Sequence, residues 1–376
     1  MIPLYRPWLG EEEAEAARRP LMSGWLTQGP EVAAFEAEFA EFVGAPEAVA
    51  LANCTLALQL ALQLVGVGCG HEVITVSHSY IATANSIRHV GAMPVFVDID
   101  PQTFNLDPDL LQQQLSPLTR AVLVVHQIGM PADLARIVPW CRQHGLALVE
   151  DAACAVGSEI CWQGEWQKIG RPHGDIACFS LHPRKLLTTG DGGMLTTARA
   201  DWAERARRLR QHGMDLSDRV RHAATTVQFE HYTELGYNYR LTDLQAAVGR
   251  VQLQRLPALL ARRRQQVEHY HELLPGRDWQ QQPGWARSNW QSLALRLPER
   301  AHQRQVMQAL LERGISTRRG IMCAHREPAY AHGSWRGGDL SHSERAQDHS
   351  LLLPLYHDLG EEQLEEVVAA LADLGL

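Results

Sequence analysis

Lys185 stands between the apolar run Asp175–Ser180 and the glycine-rich stretch Thr188-Thr-Gly-Asp-Gly-Gly193. A lone lysine is usually a solvated surface residue. Glycines nearby, however, let backbone approach a ligand closely. Burial at such a place lowers an amine's pKa and fits it to form an imine and carry protons. Asp151 follows directly on the apolar run Leu146–Glu150 and precedes Ala152 and Ala153. Its carboxylate could pair with a buried heterocyclic cation, and the two alanines would let a flat ring lie against the backbone. A helix N-cap is the plainer reading of the same aspartate. Cys54 and Thr55 open a helical stretch, and helix N-termini bind phosphate through free N–H groups and the helix dipole. Ser180, at a neighbouring strand end, could add a hydroxyl, though both places also read as ordinary caps or strand termini. Tyr80, in Ser77-His-Ser-Tyr-Ile-Ala-Thr83, could stack on a ring, although an aromatic there more often fills core.

An imine-forming amine, an acid for a ring nitrogen, a flat face and a phosphate cradle are what pyridoxal 5'-phosphate (PLP) requires of a protein. Each signal has a bland alternative. Their joint order along one chain points to a PLP site, with Lys185 catalytic and Asp151, Ala153, Tyr80, Ser180, Cys54 and Thr55 around the cofactor.

Such a site needs strand ends, where an α/β sheet places its ligands. Apolar, β-rich runs at Glu72–Val76, Pro94–Asp98, Ala121–Val125, Leu146–Glu150, Asp175–Ser180 and Gly193–Thr197 alternate with helical patterns, which predicts a parallel sheet. Phe35, Phe39 and Phe42 share one helical face that stops at Gly44. Thr242 and Gln245 fit a capping box, opening a helix to about Leu256; Pro257 then suits the first turn of a second helix. A smaller α/β unit follows, with a strand near Trp290–Leu297 and helices near Ala301–Arg313 and Glu361–Leu374. The expected division is a large domain at 1–250 and a small one at 251–376. Gln280–Asn289 and Ala331–Ser343 read as loops, the second either covering the site or disordered.

The chain has 376 residues, 45% hydrophobic and 21% charged, enough apolar matter for a large domain and a smaller one. No apolar run is long enough to span a membrane, and the first residues lack the apolar core of a signal peptide, so a soluble intracellular protein is expected. Seven scattered cysteines with no Cys-x-x-Cys pair give no metal site and no disulfide framework. A net charge of −8 argues against a nucleic-acid partner. The basic clusters Arg205–Arg210 and Arg262–Arg264 read as solvated helix faces.

The sequence resembles the DegT/DnrJ/StrS family of PLP-dependent sugar aminotransferases. The likeness runs through Ser23-Gly-Trp-Leu-Thr-Gln-Gly29, Gly91–Asp100, Glu150-Asp-Ala-Ala153 and Ser180-Leu-His-Pro-Arg-Lys185. It continues in Gly236-Tyr-Asn-Tyr-Arg-Leu-Thr-Asp-Leu-Gln-Ala-Ala247 and Leu353-Pro-Leu-Tyr356. It implies the fold-type I architecture of aspartate aminotransferase, with a large, mostly parallel sheet of the seven-stranded type, helices on both faces and a smaller C-terminal α/β domain. Lys185 would carry the cofactor, Asp151 would hold its pyridine nitrogen, Tyr80 would stack, and Ser180, Thr55 and the Cys54 backbone would hold the phosphate. The family also implies that Asn238 reaches the phosphate of a neighbouring subunit, in a cytoplasmic homodimer with a shared active site. The reaction implied is ping-pong, from an amino donor, usually glutamate, through pyridoxamine phosphate to a nucleotide-linked keto-sugar.

Three positions depart from the family pattern. Cys54 stands where a glycine is usual, Cys154 where glutamine or histidine is common, and Gly190-Asp-Gly-Gly193 carries a shorter acid. In addition, Ser316-Thr-Arg-Arg-Gly-Ile-Met-Cys-Ala-His325, which borders the substrate in the family, is atypical. A cyclitol or non-sugar ketone as acceptor therefore stays open, as does a non-catalytic PLP-binding regulator. A dehydratase of the same fold would replace the lysine with histidine, and this chain keeps Lys185.

Overall fold

Continuous apolar runs become interior strands because a parallel sheet is covered on both faces. The computed structural model describes residues 1–216, 224–331 and 333–376. Its strands are β1 (Glu47–Leu51), β2 (Glu72–Val76), β3 (Met93–Val97), β4 (Thr119–Val125), β5 (Ala147–Asp151), β6 (Glu159–Trp162) and β7 (Glu165–Lys168). They continue with β8 (Ile176–Ser180), β9 (Gly193–Thr197), β10 (Ala286–Arg287), β11 (Leu293–Arg296), β12 (Arg318–Arg319), β13 (Arg336–Gly337) and β14 (Ser350–Leu353). The helices are α1 (Glu11–Ser23), α2 (Pro30–Val43), α3 (Cys54–Leu64), α4 (Ala82–His89), α5 (Leu111–Gln114) and α6 (Leu134–Gln143). After them come α7 (Ala200–Leu209), α8 (Asp243–Leu273), α9 (Gln303–Glu312), α10 (Ser341–Asp348) and α11 (Glu361–Asp373).

The main sheet has eight strands in the order β1-β9-β8-β5-β4-β2-β3-β13. Only β9 runs against its neighbours. Period-two alternation divides each strand between two cores. Ile74, Val76, Val122 and Val124 meet Phe35 and Phe39 of α2 and Ile137 of α6 on one face. Val73, Ala121 and Leu123 meet Leu58 of α3 and Ala203 of α7 on the other. This is the fold-type I α/β arrangement expected, with one strand more than the seven-stranded type. The extra strand, β13, lies within the stretch Ala331–Ser343 expected as loop, of which His332 is outside the described residues. Two residues are too few to show a period, but they pair in parallel with Val95 and Phe96. Arg336 is fixed there by Glu72 at 2.7 Å.

The helix that opens on the capping box is α8, and both reciprocal bonds between Thr242 and Gln245 are present. It does not stop at Leu256. Pro257 lies inside one continuous helix of 31 residues. Proline removes one helical hydrogen bond at a cost of about 3 kcal/mol. Leu253, Leu256, Leu259 and Leu260, all buried, carry one apolar stripe straight through it, and that burial outweighs the loss. The expected division at 250/251 falls within this helix. Farther along it, Val267 and Tyr270 enter a second core with Ile2, Leu310, Val367 and the three-stranded sheet β11-β14-β12.

The basic clusters are not simply solvated faces. Arg210 is 6% exposed and pairs with Glu36, and Arg263 is 1% exposed. Arg263 donates to the carbonyls of Trp290 and Gln291 at 2.8 and 3.1 Å. Both bonds come from Nη1, so this buried guanidinium serves as a structural donor to two carbonyls and not as a solvated charge. No helix among the described residues is long and apolar enough to cross a membrane.

Candidate active site

The C-terminal ends of β5 and β8, the start of α3 and the loop before α4 surround a cavity of about 750 Å³. Lys185, Asp151, Ala153, Tyr80, Ser180, Cys54 and Thr55 all line it. Seven of the eight residues singled out from sequence therefore meet in one place. Asn238 does not: it is exposed, and its backbone pairs with Gln211 away from the cavity.

Asp151, the last residue of β5, is 5% exposed. Its Oδ2 accepts from Thr83 Oγ1 at 2.7 Å and its Oδ1 from the Ala153 amide at 3.2 Å. Burial pushes the carboxyl above its ordinary value, against the pull of Thr83, the Ala153 amide, Lys185 and His126. A cation beside it would reverse that shift. Beneath lies a fixed support. His126 Nδ1 accepts from the Ala132 amide, so its Nε2–H donates to Glu150 at 3.0 Å.

At the start of α3 the Asn53 side chain caps the Leu56 amide. The amides of Cys54 and Thr55 have no partner among the described residues, as first-turn amides do not. Cys54 packs its side chain into the core at 7% exposure and leaves its amide facing the helix end. Gly193 opens β9 against this helix end. A Cβ there would lie 2.5 Å from the Asn53 carbonyl and 2.8 Å from the Cys54 nitrogen, so only glycine allows the approach. Free amides at one end and a buried carboxylate at the other fit the phosphate and the ring nitrogen of PLP.

Lys185 is half-buried, with its Nζ 2.9 Å from Cys154 Sγ. Its basicity departs from the sequence expectation. Burial lowers it, but Cys154, Cys54 and Asp151 together outweigh burial and hold the free amine above its ordinary value. The Cys154 thiol is thus the amine's hydrogen-bond partner.

The loop that carries Lys185 is held from afar, by residues not singled out from sequence. Tyr5 donates its hydroxyl to the Lys185 carbonyl. Burial pushes that phenol up to about 12, against the pull of Arg263, so it stays a donor at neutral pH. Gln291 donates to the Arg184 carbonyl at 2.6 Å and accepts from the Leu186 amide at 3.2 Å. Gln291→Leu leaves both groups unpaired, which is expected to lower unfolding free energy by about 2 kcal/mol. Displacement of the amine should also reduce kcat roughly 10- to 100-fold. Denaturant melts and steady-state rates would check both; a destabilised variant with full kcat would make the clamp purely structural.

The relatives of this chain bear on that geometry. It is 36% identical over 386 residues to the spore coat polysaccharide biosynthesis protein SpsC of Bacillus subtilis (strain 168), covering 99% of this chain and 97% of SpsC. It is also 36% identical over 379 residues to the dTDP-4-dehydro-2,3,6-trideoxy-D-glucose 4-aminotransferase of Saccharopolyspora spinosa, covering 98% and 95% of the two chains. Among solved structures, the aminotransferase TlmJ from Streptoalloteichus hindustanus matches with TM-score 0.90 and 36% identity, each chain covered to 100%. Other solved neighbours are in PLP and pyridoxamine-phosphate forms. Residues 7–372 match the DegT/DnrJ/EryC1/StrS aminotransferase family. The chain belongs to that family, and it is a PLP-dependent aminotransferase.

Proposed function

We propose that this enzyme takes an amino group from glutamate and places it on a nucleotide-linked keto-sugar by a ping-pong mechanism. The observation that carries the reading is the convergence of Lys185, the buried carboxylate of Asp151 and the free amides of α3 in one cavity. Likeness over almost its full length to an aminotransferase named for a dTDP-linked keto-sugar supports the acceptor class.

Lys185 binds the cofactor covalently, and Asp151 holds a proton on the ring nitrogen. The amides of Cys54 and Thr55, with the Ser180 hydroxyl, take the phosphate. Ala153 and Tyr80 flank the ring; Tyr80 is 65% exposed at the cavity rim, free to lie over a ligand. When bound, PLP supplies an electron sink for the carbon that bears the amine. Lys185 Nζ, free once the donor amine is bound, would accept the proton from the donor's α-carbon and deliver it to the cofactor carbon on the far side of the shared nitrogen. The second half of the cycle uses the same groups in reverse on the ketone.

Asn238, exposed and outside its own cavity, suits a contact with the phosphate site of a second copy, in a cytoplasmic homodimer with shared active sites. Val227, Phe229 and Leu235, on the same segment, are 87%, 81% and 88% exposed. Apolar groups so displayed favour a protein partner.

Adding glutamate to the purified holoenzyme tests the donor half. Absorbance should move from the visible band of the lysine-linked cofactor to the near-ultraviolet band of pyridoxamine phosphate. No shift with any amino donor would instead mark a regulator that only binds PLP. Screening nucleotide-linked keto-sugars, cyclitol ketones and simple ketones against the amine form then tests the acceptor. Turnover confined to the last two would overturn the sugar reading.

A further inference from the structure

The mouth of the cavity gathers positive charge. Arg184, Arg318 and Arg319 line it, while its acids are Asp151 on the floor and Asp191, whose charge bears on His182. Arg319 has a partner in Glu327 at 3.5 Å. Among the described residues, Arg184 and Arg318 have no ion pair. Both leave their charge unneutralised beside the cavity, whereas Arg250, for example, pairs with Glu31 and Glu38. Arg184 and Arg318 are both exposed, yet some lost hydration, then the like charges of Arg184 and Arg319, push the Arg318 guanidinium below its ordinary value. Close, unneutralised guanidiniums repel one another until an anion joins them.

Neither residue is loose. Arg318 lies on β12, in register with Leu352 of β14. Arg184 has its carbonyl held by Gln291. Both residues line the cavity from fixed backbone, one on the small-domain sheet and one on the Lys185 loop.

We propose that Arg318 and Arg184 recognise the acceptor's anionic group, and that this group is the diphosphate of a nucleotide-linked sugar. The assignment rests on the keto-sugar reading above and assigns residues to it within the atypical segment Ser316–His325. Two arguments choose the diphosphate over a donor carboxylate. Planar guanidinium forks match phosphate oxygens two at a time, and a pair of forks suits an anion with more than one charge. In addition, the α-carboxylate of glutamate is one bond from the reacting carbon, so it must lie deep beside Lys185. An anion at the mouth is separated from the reaction by the length of a sugar.

Calorimetric titration of the holoenzyme with dTDP, UDP and glutarate separates the sources. Arg318→Ala and Arg184→Ala are each expected to weaken binding of a nucleoside diphosphate about tenfold, and the double variant about a hundredfold. Arg318→Lys should recover only part of it. Binding of glutarate, and the KM for glutamate followed by cofactor absorbance, should shift less than twofold. The proposal is overturned if neither nucleotide binds the wild type, if the variants bind them undiminished, or if glutarate is weakened as much. Failure of the keto-sugar reading would look different: no turnover of any nucleotide-linked keto-sugar by wild type and variants alike, with the glutamate half-reaction intact.

Discussion

Lys185→Ala is expected to abolish turnover and leave the protein folded. The side chain is half-buried and among the described residues makes one hydrogen bond, to Cys154 Sγ, so its loss removes little packing. Asp151 keeps both of its own partners, Thr83 and the Ala153 amide, and the Lys185 loop keeps its backbone clamp from Tyr5 and Gln291. Circular dichroism and the unfolding midpoint should therefore match the wild type. On the proposed assignment catalysis loses two functions at once, the covalent attachment and the proton carrier between donor carbon and cofactor. General acid–base catalysis alone contributes about 10²- to 10⁴-fold, and the exchange of attachment adds to it. Turnover with glutamate should fall by about four powers of ten or more. A readout independent of activity accompanies this: borohydride should fix the cofactor to the wild-type peptide bearing Lys185 and to no peptide of the variant. Normal turnover, or cofactor fixed elsewhere, would end the assignment.

The sheet was legible because buried parallel strands are unbroken apolar runs. Glu72–Val76 and Gly193–Thr197 occur with the bounds that their residues suggest. Other boundaries moved by a residue or two, which matters once: Asp151 is the last residue of β5 rather than the one after it. The strand β1 was missed because Glu-Ala-Val-Ala-Leu suits helix and strand alike. Site residues at strand ends and helix starts were legible for the same local reasons, whereas Thr83, in the first turn of α4, lay within the quoted Tyr80 segment without being singled out. What local pattern cannot show is contact across the fold. Tyr5 meets Lys185 across 180 residues, and Gln291 meets Leu186 across 105. Arg263, one of three successive arginines, looks solvated until the small domain closes over it. The direction of the Lys185 shift was misread for a related cause. Burial was inferable from position, but the opposing neighbours, Cys154 31 residues upstream together with Cys54 and Asp151, were not.

Asp151→Asn should separate binding of the cofactor from its activation. Asparagine keeps the size of the side chain and can still accept from Thr83, so the packing around it, 5% exposed in the wild type, should survive. What it loses is the charge and one of the two acceptor oxygens that Thr83 and the Ala153 amide use. Removing one partner of a buried ion pair costs roughly 3–5 kcal/mol, which on a rate is about two to four powers of ten. Turnover should fall by that amount while Lys185 still attaches the cofactor and the start of α3 still holds its phosphate. The pH dependence gives the sharper test. In the cofactor-free protein burial holds the Asp151 carboxyl above its ordinary value, and a bound ring cation draws it back down. Pairing is therefore complete above that range and is lost as pH falls through it, when the carboxyl takes up a proton and cannot oppose a cation. Measured in a Lys185→Ala background, where no covalent link masks affinity, cofactor binding should weaken on acidification. The same measurement with Asn at 151 should give a weaker, flatter profile. If both profiles fall together, the acid-sensitive group is not Asp151, and the carboxylate at the end of β5 is a structural cap rather than the partner of the ring.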